Sequence, residues 1–239
     1  MSATIWTRVW IGQTASIVFA LTIAAGTVAP ARPLVAQGEV RGRITIVERG
    51  GDRTNDLPNA VVWLQPAREV RATTVRRVEI GMESKRFVPA VRVVPVGSTV
   101  EFPNLDPFRH NVFSNIGPSE FDLGLYARGE SRGARFERPG VHPIFCNIHS
   151  RMVAYVVALA TAHFAQPEPD GRFALADVPP GRYTLRVWHD RGGEHAREVE
   201  IPAAGLDGLE IGLDARGYRF VQHKNKFGQE YTATGRDRY

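Results

Sequence analysis

The sequence has little cysteine, no sustained helical periodicity and no block of like charge. Its 239 residues include one cysteine, which excludes an internal disulfide framework and any zinc site that needs two or more thiolates. Lysine and arginine number 30 against 25 aspartate and glutamate residues, and they form no nucleic-acid-binding cluster. With 43% hydrophobic and 23% charged residues, the composition also excludes bulk disorder and a polytopic membrane protein. What remains is a globular protein with one unexplained thiol.

The first 36 residues have the pattern of a secretory signal peptide. Arg8 precedes an apolar run, of which residues 17–25 are the least interrupted part, and small residues follow around Ala29 and Ala36. The run is short for a transmembrane helix of about 20 residues, although an uncleaved anchor is the alternative interpretation. Without residues 1–36 the chain keeps 28 basic and 25 acidic residues, a net charge of +3. We therefore predict a periplasmic or secreted protein with no stable membrane insertion after cleavage.

Short alternating segments separated by turn residues predict an all-β protein. Residues 40–46 alternate between apolar and polar side chains, as expected for a half-buried strand. Residues 91–96 and 99–102 flank a Gly-Ser pair, which predicts a β-hairpin. Only residues 119–128 leave the choice between helix and strand open. Regular turn signals between many short strands favour β-sandwiches.

The one cysteine lies in a short segment that contains three kinds of metal ligand. Cys146 is followed by His149 and Met152, in the spacing C-x-x-H-x-x-M. A thiolate and a weak axial thioether, together with two imidazoles, are the ligands of a trigonal copper site, so one further histidine is needed. His110, in a turn-rich segment that enters a predicted strand, is the candidate. Because an unpaired thiol is a liability in an oxidising compartment, we favour copper binding over simple burial of these side chains.

Residues from about 75 to 160 resemble a cupredoxin, the family of plastocyanin-like blue copper proteins. The resemblance lies in VVPVGSTV (residues 93–100), in His-Asn-Val (residues 110–112) and in the spacing of Gly, Cys, His and Met across residues 140–152. The loop spacing is that of amicyanin, whereas plastocyanin has a longer gap before its methionine. The resemblance implies a Greek-key β-sandwich with one type 1 copper. The implied ligands are His110, Cys146, His149 and Met152.

The same resemblance implies roles for residues around the ligands. Asn111 would help to lock the ligand loops, as residues outside the ligand set of a metal site generally do. An apolar surface patch would surround the C-terminal histidine ligand, where electrons usually enter and leave. The candidates for this patch are Pro107, Phe108, Pro143 and Ile148. Residues 114–132 depart from the family pattern like an insert, and they can alter the surface beside the site.

Four flanking motifs are GEVRGRI (residues 38–44), LPNAVVWL (residues 57–64), DGRF (residues 170–173) and PGRYTL (residues 180–185). They resemble the two halves of a carboxypeptidase regulatory-like, or transthyretin-like, β-sandwich. The first half begins at Gly38, the second contains residues 170–185, and about 105 residues separate them. We therefore predict a cupredoxin inserted into one smaller, split sandwich, because insertion at a surface loop is tolerated when the ends of the insert are adjacent. An elongated cupredoxin with extra edge strands is the alternative. The predicted boundaries are 1–36 for the signal peptide, 38–66 and 168–214 for the split sandwich, 70–162 for the cupredoxin and 215–239 for a basic aromatic tail.

These features predict an electron carrier rather than an enzyme, since a fully used ligand set leaves no coordination position for a substrate. The arrangement resembles methylamine-utilisation-type periplasmic proteins. As the partner of an electron carrier we expect a redox protein, a cytochrome or a dehydrogenase. Two alternatives stay open: a copper carrier or storage protein, and a glycan- or protein-interaction module with a vestigial copper site.

Two weaker features are expected to be solvated. His189 and His195 flank an Arg-Gly-Gly turn, and a second metal site there is the less favoured interpretation. The cations of the C-terminal tail are the second feature, and the alternative to their solvation is that they dock an acidic redox partner or an anionic lipid. They are Lys224, Lys226, Arg236 and Arg238.

Overall fold

A computed structural model describes residues 37–50, 56–67 and 74–231. Within these ranges the chain forms seventeen strands and one short 3-10 helix, and no α-helix. None of the described helical structure is long and apolar enough to cross a bilayer. The predicted signal peptide (1–36) and two of the tail cations, Arg236 and Arg238, lie outside the described residues. The prediction of an all-β protein is confirmed.

The strands fall into three runs along the chain. The first run contains β1 (Gly38–Val47), the 3-10 helix (Leu57–Asn59) and β2 (Val61–Pro66). The second contains β3 (Arg77–Glu79), β4 (Gly81–Glu83), β5 (Arg86–Val88), β6 (Val91–Pro95), β7 (Ser98–Pro103), β8 (His110–Ser114), β9 (Phe121–Tyr126), β10 (Ser131–Phe136), β11 (Gly140–Cys146) and β12 (Val153–Leu159). The third contains β13 (Phe164–Ala165), β14 (Arg172–Val178), β15 (Gly181–His189), β16 (Gly193–Ile201) and β17 (Leu206–Asp214).

The first and third runs combine into two facing sheets. One has the order β14-β1-β17, with β1 antiparallel to β14 and parallel to β17. The other has the order β13-β2-β15-β16, with β2 antiparallel to β15. Alternate side chains of these strands point inward, and Ile44, Leu64, Leu175 and Leu185 form part of one buried cluster. Strands from the two ends of the chain thus share sheets, although more than a hundred residues lie between them in the sequence.

The second run forms two larger sheets, which position the candidate site, and a small two-stranded sheet of β4 and β5. A five-stranded sheet has the order β6-β12-β11-β8-β9, and a three-stranded sheet has the order β10-β7-β3. Buried side chains from both sheets, such as Phe102, Phe136, Ile144 and Val156, fill the space between them. A further buried cluster, which includes Trp63, Trp188, Val91 and Leu159, joins strands of the first and third runs to this sandwich.

The predicted hairpin over residues 91–102 is wrong. Strand β6 pairs in parallel with β12, whereas β7 pairs with β10 in the other sheet. Gly97 has φ 90°, and its N–H donates to the carbonyl of Phe136 at 2.7 Å, so the chain crosses between the sheets here. Two alternating segments around a turn have the same sequence pattern whether they pair with each other or join opposite sheets. Residues 121–126, in the segment that the sequence left open, form β9.

Candidate metal centre

Cys146 ends strand β11, where backbone pairing fixes its position. It lies opposite Val112 of β8, and its side chain points into the core of the sandwich and is 0% exposed. Burial raises the pKa of the Cys146 thiol, while backbone N–H groups of Asn111, Ile148 and His149 oppose that rise. The Ile148 N–H lies 3.4 Å from the sulfur. Amide donors pointed at a buried sulfur suit a thiolate, which is the metal-binding form of cysteine.

His110 begins strand β8 and is held by a carboxylate four residues before it. The Nε2 atom of His110 lies 2.8 Å from Asp106 Oδ2, and the imidazole is 0% exposed. Asp106 also accepts the backbone N–H groups of Ser84 and Lys85, at 2.7 and 2.9 Å. Because the carboxylate accepts the Nε2 proton, the lone pair of His110 is on Nδ1. That nitrogen lies 3.6 Å from Cys146 Sγ.

The segment after Cys146 is a short loop closed by its own backbone. The N–H of Met152 donates to the carbonyl of His149 at 3.0 Å, and the N–H of Cys146 donates to the carbonyl of Met152 at 3.3 Å. This closure turns the His149 Nδ1 atom toward the sulfur, at 3.9 Å, with the side chain 6% exposed. Met152 is 1% exposed and belongs to the same buried cluster as Cys146. The loop therefore brings all three of its predicted ligand residues to the end of the sandwich.

The spacing of the three ligand atoms fits a single small metal ion. The Cys146, His110 and His149 donor atoms all lie within 4.8 Å of one another. A metal bonded at about 2.3 Å to sulfur and about 2.0 Å to nitrogen places the two ligand atoms roughly 3.7 Å apart across a 120° angle. The observed sulfur–nitrogen distances of 3.6 and 3.9 Å bracket that value. One thiolate and two imidazoles, with a buried thioether nearby, are the donor types that suit copper.

Asn111 is buried, and its side-chain amide is hydrogen-bonded to strand β9. Its Nδ2 atom donates to Asp122 Oδ1 of β9 at 2.6 Å, while the backbone of Asn111 contacts the Cys146 sulfur. Asp122 also accepts the N–H of Gly124 and pairs with the ammonium of Lys226. Asn111 thus connects the candidate site to β9 and, through Asp122, to the C-terminal segment.

The four residues of the predicted apolar patch lie in different surroundings. The half-buried ring of Phe108 lies 5.2 Å from the His110 ring and 5.4 Å from the His149 ring, and the Lys85 ammonium lies 5.4 Å from the centre of the Phe108 ring. Ile148 is half-buried within the loop, and Pro107 is exposed. Pro143 is three residues before Cys146 in β11, roughly 10 Å along the strand, and it lies beside Gly117. Phe108 and Ile148 are therefore the patch candidates that adjoin the ligands.

The expectation that His189 is solvated is wrong. It is 0% exposed, and its Nδ1 atom lies 3.2 Å from the N–H of Arg191 and 3.2 Å from Asp190 Oδ1. His189 and Asp190 group with Asp56 within metal-binding distance, but Arg191 forms ion pairs with Asp56 and Glu48. The arginine thus already supplies the positive charge in this cluster. His195 lies across from Val187 in the exposed strand β16.

Four residues beside the site were missed by the sequence analysis or treated as solvated. The only feature of the sequence that could have indicated the contact of Asp106 with His110 is their separation by four residues, and this spacing is common in turn-rich segments. Three others belong to the C-terminal segment, which has no periodicity from which contacts could be predicted. They are His223, Lys226 and Tyr231, and each contacts the candidate site or the strands that carry it. The expected solvation of Lys226 is therefore wrong.

No protein-family model matches the chain, and no curated protein matches it. Parts of the chain are similar to solved copper proteins. A purple cupredoxin from Nitrosopumilus maritimus is 23% identical with a TM-score of 0.32, over 34% of this chain and 99% of that chain. Amicyanin from Paracoccus versutus is 22% identical with a TM-score of 0.32, over 40% of this chain and 91% of that chain.

A copper-containing nitrite reductase from Thermus scotoductus SA-01 is 26% identical with a TM-score of 0.35. That similarity covers 49% of this chain and 28% of the reductase, so this chain spans less than a third of the enzyme. TM-scores of this size leave the geometry of His110, Cys146 and His149 as the basis for a functional assignment.

Proposed function

We propose that this protein is a mononuclear type 1 copper protein of the cupredoxin kind that carries single electrons. The observation that supports it most directly is the convergence of two imidazole nitrogens on one buried sulfur. The Nδ1 atoms of His110 and His149 lie 3.6 and 3.9 Å from Cys146 Sγ, and all three side chains are buried. This is the arrangement of donors that a trigonal copper site requires.

In this proposal the chain supplies a complete ligand set. Cys146, His110 and His149 would hold the ion in a plane, and Met152 would be the weak axial ligand. Copper bound there would supply the exchange of one electron between its Cu(II) and Cu(I) states. The burial of the ligands would limit the access of water to the ion in both states.

The protein holds these ligands in one arrangement, which is what fast electron exchange requires. His110 and Cys146 belong to adjacent strands, paired through Phe145–Phe113 and Cys146–Val112. Asp106 fixes the orientation of the His110 ring, and two backbone hydrogen bonds close the loop that carries His149. Little movement of ligands would accompany a change in oxidation state, so little energy is lost to reorganisation.

An electron carrier needs a route to its surface rather than a substrate pocket. The ring of Phe108 lies beside both histidine rings and is half-buried, so it offers a route from the ligands toward solvent. A partner protein that covers Phe108 would contact a ring whose centre lies 5.4 Å from that of His149. We propose a redox protein, a cytochrome or a dehydrogenase, as this partner, and an exported location in the periplasm or outside the cell.

The sheets of the first and third runs would act as a support for this electron carrier. We propose that they are a transthyretin-like sandwich into which the copper-binding sandwich is inserted. Strand pairs β1–β14 and β2–β15 join segments on either side of the insert, which supports this interpretation. Inserted domains keep their own cores, and Ile44 and Ile144 belong to separate buried clusters here.

Copper reconstitution of the purified protein tests the function. We expect one copper per chain and an intense visible absorption from charge transfer between the Cys146 sulfur and Cu(II). The Cys146→Ser variant should lose this absorption but keep its β-sheet circular dichroism, because serine fills nearly the same volume. A wild-type protein that stays colourless and retains no copper would rule the proposal out. Rapid loss of copper to a chelator would instead favour a copper carrier or storage protein.

The Met152→Leu variant tests the axial assignment. We expect the visible colour to remain and the reduction potential to rise, because a weaker axial donor favours Cu(I). The substitution nearly conserves volume, so the free energy of unfolding should change by less than about 1.5 kcal/mol. Potentiometric titration of both proteins measures the effect, and equal potentials would contradict an axial role for Met152.

A further inference from the structure

The chain after strand β17 crosses to the candidate copper site. Residues 218–231, here called the C-terminal strap, contain no strand or helix. They are nevertheless fixed at several points on the loop of residues 146–152 and on strands β8, β9 and β11. None of these contacts is part of the ligand set proposed above.

Two hydrogen bonds join the strap directly to the ligand loop. The Tyr231 hydroxyl donates to the carbonyl of Cys146 at 2.9 Å, and the backbone N–H of Lys226 donates to Asn147 Oδ1 at 2.9 Å. The first fixes the peptide group that links Cys146 to the loop. The second fixes the side chain of the next residue. Both bonds act between the cysteine and the histidine of the proposed C-x-x-H motif.

An ion pair joins the strap to the other side of the site. The Lys226 ammonium lies 2.6 Å from Asp122 Oδ2, and Asp122 accepts the Asn111 amide through its other oxygen at 2.6 Å. Although burial raises the pKa of Asp122, hydrogen bonds from Lys226, Asn111 and Gly124 lower it overall. The strap is thereby connected to Asn111, the residue after the His110 ligand, whose backbone contacts the Cys146 sulfur.

Ring packing covers the strands that carry the ligands. Phe113 and Phe145 lie opposite each other in β8 and β11, on the face of the sheet away from the core that holds Cys146 and Val112. Large apolar side chains on an outer face would normally be exposed, but these are 1% and 6% exposed. The His223 ring stacks on Phe145 at 4.5 Å and lies 6.1 Å from Phe113. The strap therefore shields this part of the sheet from water.

We propose that the C-terminal strap positions the ligand loop for copper, with Tyr231 and Lys226 as its positioning residues. The inference rests on the proposed function for the identity of the metal, but the strap's effect on the loop exists without metal. A hydrogen bond on the Cys146 carbonyl limits rotation of the Cys146–Asn147 peptide. The distance from the sulfur to the His149 imidazole then varies less, and the site keeps its shape when copper changes its oxidation state.

The test compares two tyrosine-to-phenylalanine variants, one that removes the hydroxyl bonded to the Cys146 carbonyl and one that removes a hydroxyl elsewhere in the strap. Tyr231→Phe deletes the hydrogen bond to Cys146, whereas Tyr218→Phe makes the same chemical change at a 41% exposed tyrosine near the start of the strap. In the metal-free protein we measure hydrogen exchange of the Cys146, Ile148 and Met152 amides, which are hydrogen-bonded within the loop. Tyr231→Phe should speed their exchange by roughly fivefold, the effect of losing about one hydrogen bond. Tyr218→Phe should leave it unchanged.

A second measurement uses the copper-loaded protein. Tyr231→Phe and Lys226→Met should change the charge-transfer spectrum and speed the transfer of copper to a chelator by several fold. Lys224→Met, at a cation 4.0 Å from Glu230, is the matched control for loss of charge. Unchanged loop exchange and an unchanged spectrum in Tyr231→Phe would overturn the proposal. Equal acceleration of amides throughout the protein would also overturn it, since that indicates general destabilisation rather than positioning.

The outcomes separate this inference from the proposed function. If the wild-type protein binds no copper, the proposed function fails. The exchange rates of the metal-free variants then still decide whether the strap orders the loop. If the wild-type protein binds copper but Tyr231→Phe leaves the loop exchange rates and the spectrum unchanged, the strap proposal fails and the proposed function stands.

Discussion

Asp106 determines which nitrogen of the His110 imidazole faces the candidate metal site. An imidazole on a strand end can rotate about two side-chain bonds, and either nitrogen could face the sulfur. The carboxylate of Asp106 accepts the Nε2 proton at 2.8 Å, and backbone N–H groups of Ser84 and Lys85 hold the carboxylate in turn. Burial lowers the pKa of His110, although Asp106 opposes that effect. The neutral ring with Nδ1 free of a proton is the form that binds a metal.

Asp106→Asn is therefore expected to weaken copper binding without removing a ligand. Loss of such a carboxylate partner typically costs about 10–100-fold in metal affinity. Competition with a chelator of known affinity measures the change. Asp170→Asn, at an exposed carboxylate paired with Arg172, is the control and should bind copper as the wild type does. Equal affinities for Asp106→Asn and wild type would show that backbone pairing alone orients His110.

At the scale of elements, the pairing of β1 with β14 depends on a turn that comes very close to β1. The N–H of Ile44 donates to the Gly171 carbonyl at 2.8 Å, and Gly171 has φ 87°. A Cβ at Gly171 would lie 2.1 Å from the Ile44 carbonyl oxygen, much closer than atoms can approach. Only glycine allows β14 to lie at this distance from β1. The close approach holds together strands from the two ends of the chain.

Gly171→Ala should separate β14 from β1, and a matched glycine isolates the cause. Gly129 has a similar φ of 83°, but nothing lies within 4 Å of a Cβ there. Gly129→Ala should cost about 1–2 kcal/mol in the free energy of unfolding, from backbone strain alone. Gly171→Ala should cost at least about 2 kcal/mol more, since the clash forces strand movement. Urea unfolding of both variants measures the difference, and equal losses would contradict the close approach.

At the scale of the whole molecule, buried imidazoles make the fold sensitive to acid. His142 is 0% exposed; its Nε2–H donates to the Arg138 carbonyl at 3.0 Å, and its ring packs on Phe136. Burial lowers the pKa of His142 below its ordinary value of about 6.5. The unfolded chain then binds a proton more readily than the folded protein. At a pH well above the ordinary histidine pKa, His142 does not change the free energy of unfolding. As the pH falls from the ordinary pKa toward the lower pKa of the folded protein, the free energy of unfolding decreases.

His142→Gln should reduce the loss of stability in acid, because glutamine cannot be protonated and keeps an N–H for the Arg138 carbonyl. The experiment follows the urea midpoint of the metal-free protein between about pH 7.5 and pH 5, on either side of the ordinary histidine pKa. His195→Gln replaces a histidine of the exposed strand β16 and serves as the control. If the wild type and His142→Gln lose stability in parallel, protonation of His142 does not contribute.

Much of the fold class could be predicted from local patterns, but the pairing of strands could not. Alternation of apolar and polar residues identified strands such as β1 and β15, because a sheet face repeats every two residues. The same alternation made residues 91–102 resemble a hairpin, although β6 and β7 lie in opposite sheets. Which strand a segment pairs with depends on contacts far away in the sequence, and the local pattern carries no information about them.

The sequence by itself determined the donor chemistry of this protein. One cysteine, followed at fixed short spacing by His149 and Met152, limits the possible metals, since the type of each ligand atom is a property of the residue. The tertiary structure decided how the donors meet and what holds them. His110 reaches Cys146 only through the pairing of β8 and β11, and the strap is anchored by groups 79 to 104 residues away in the sequence. Such long-range contacts follow from the packed fold because no local repeat specifies them.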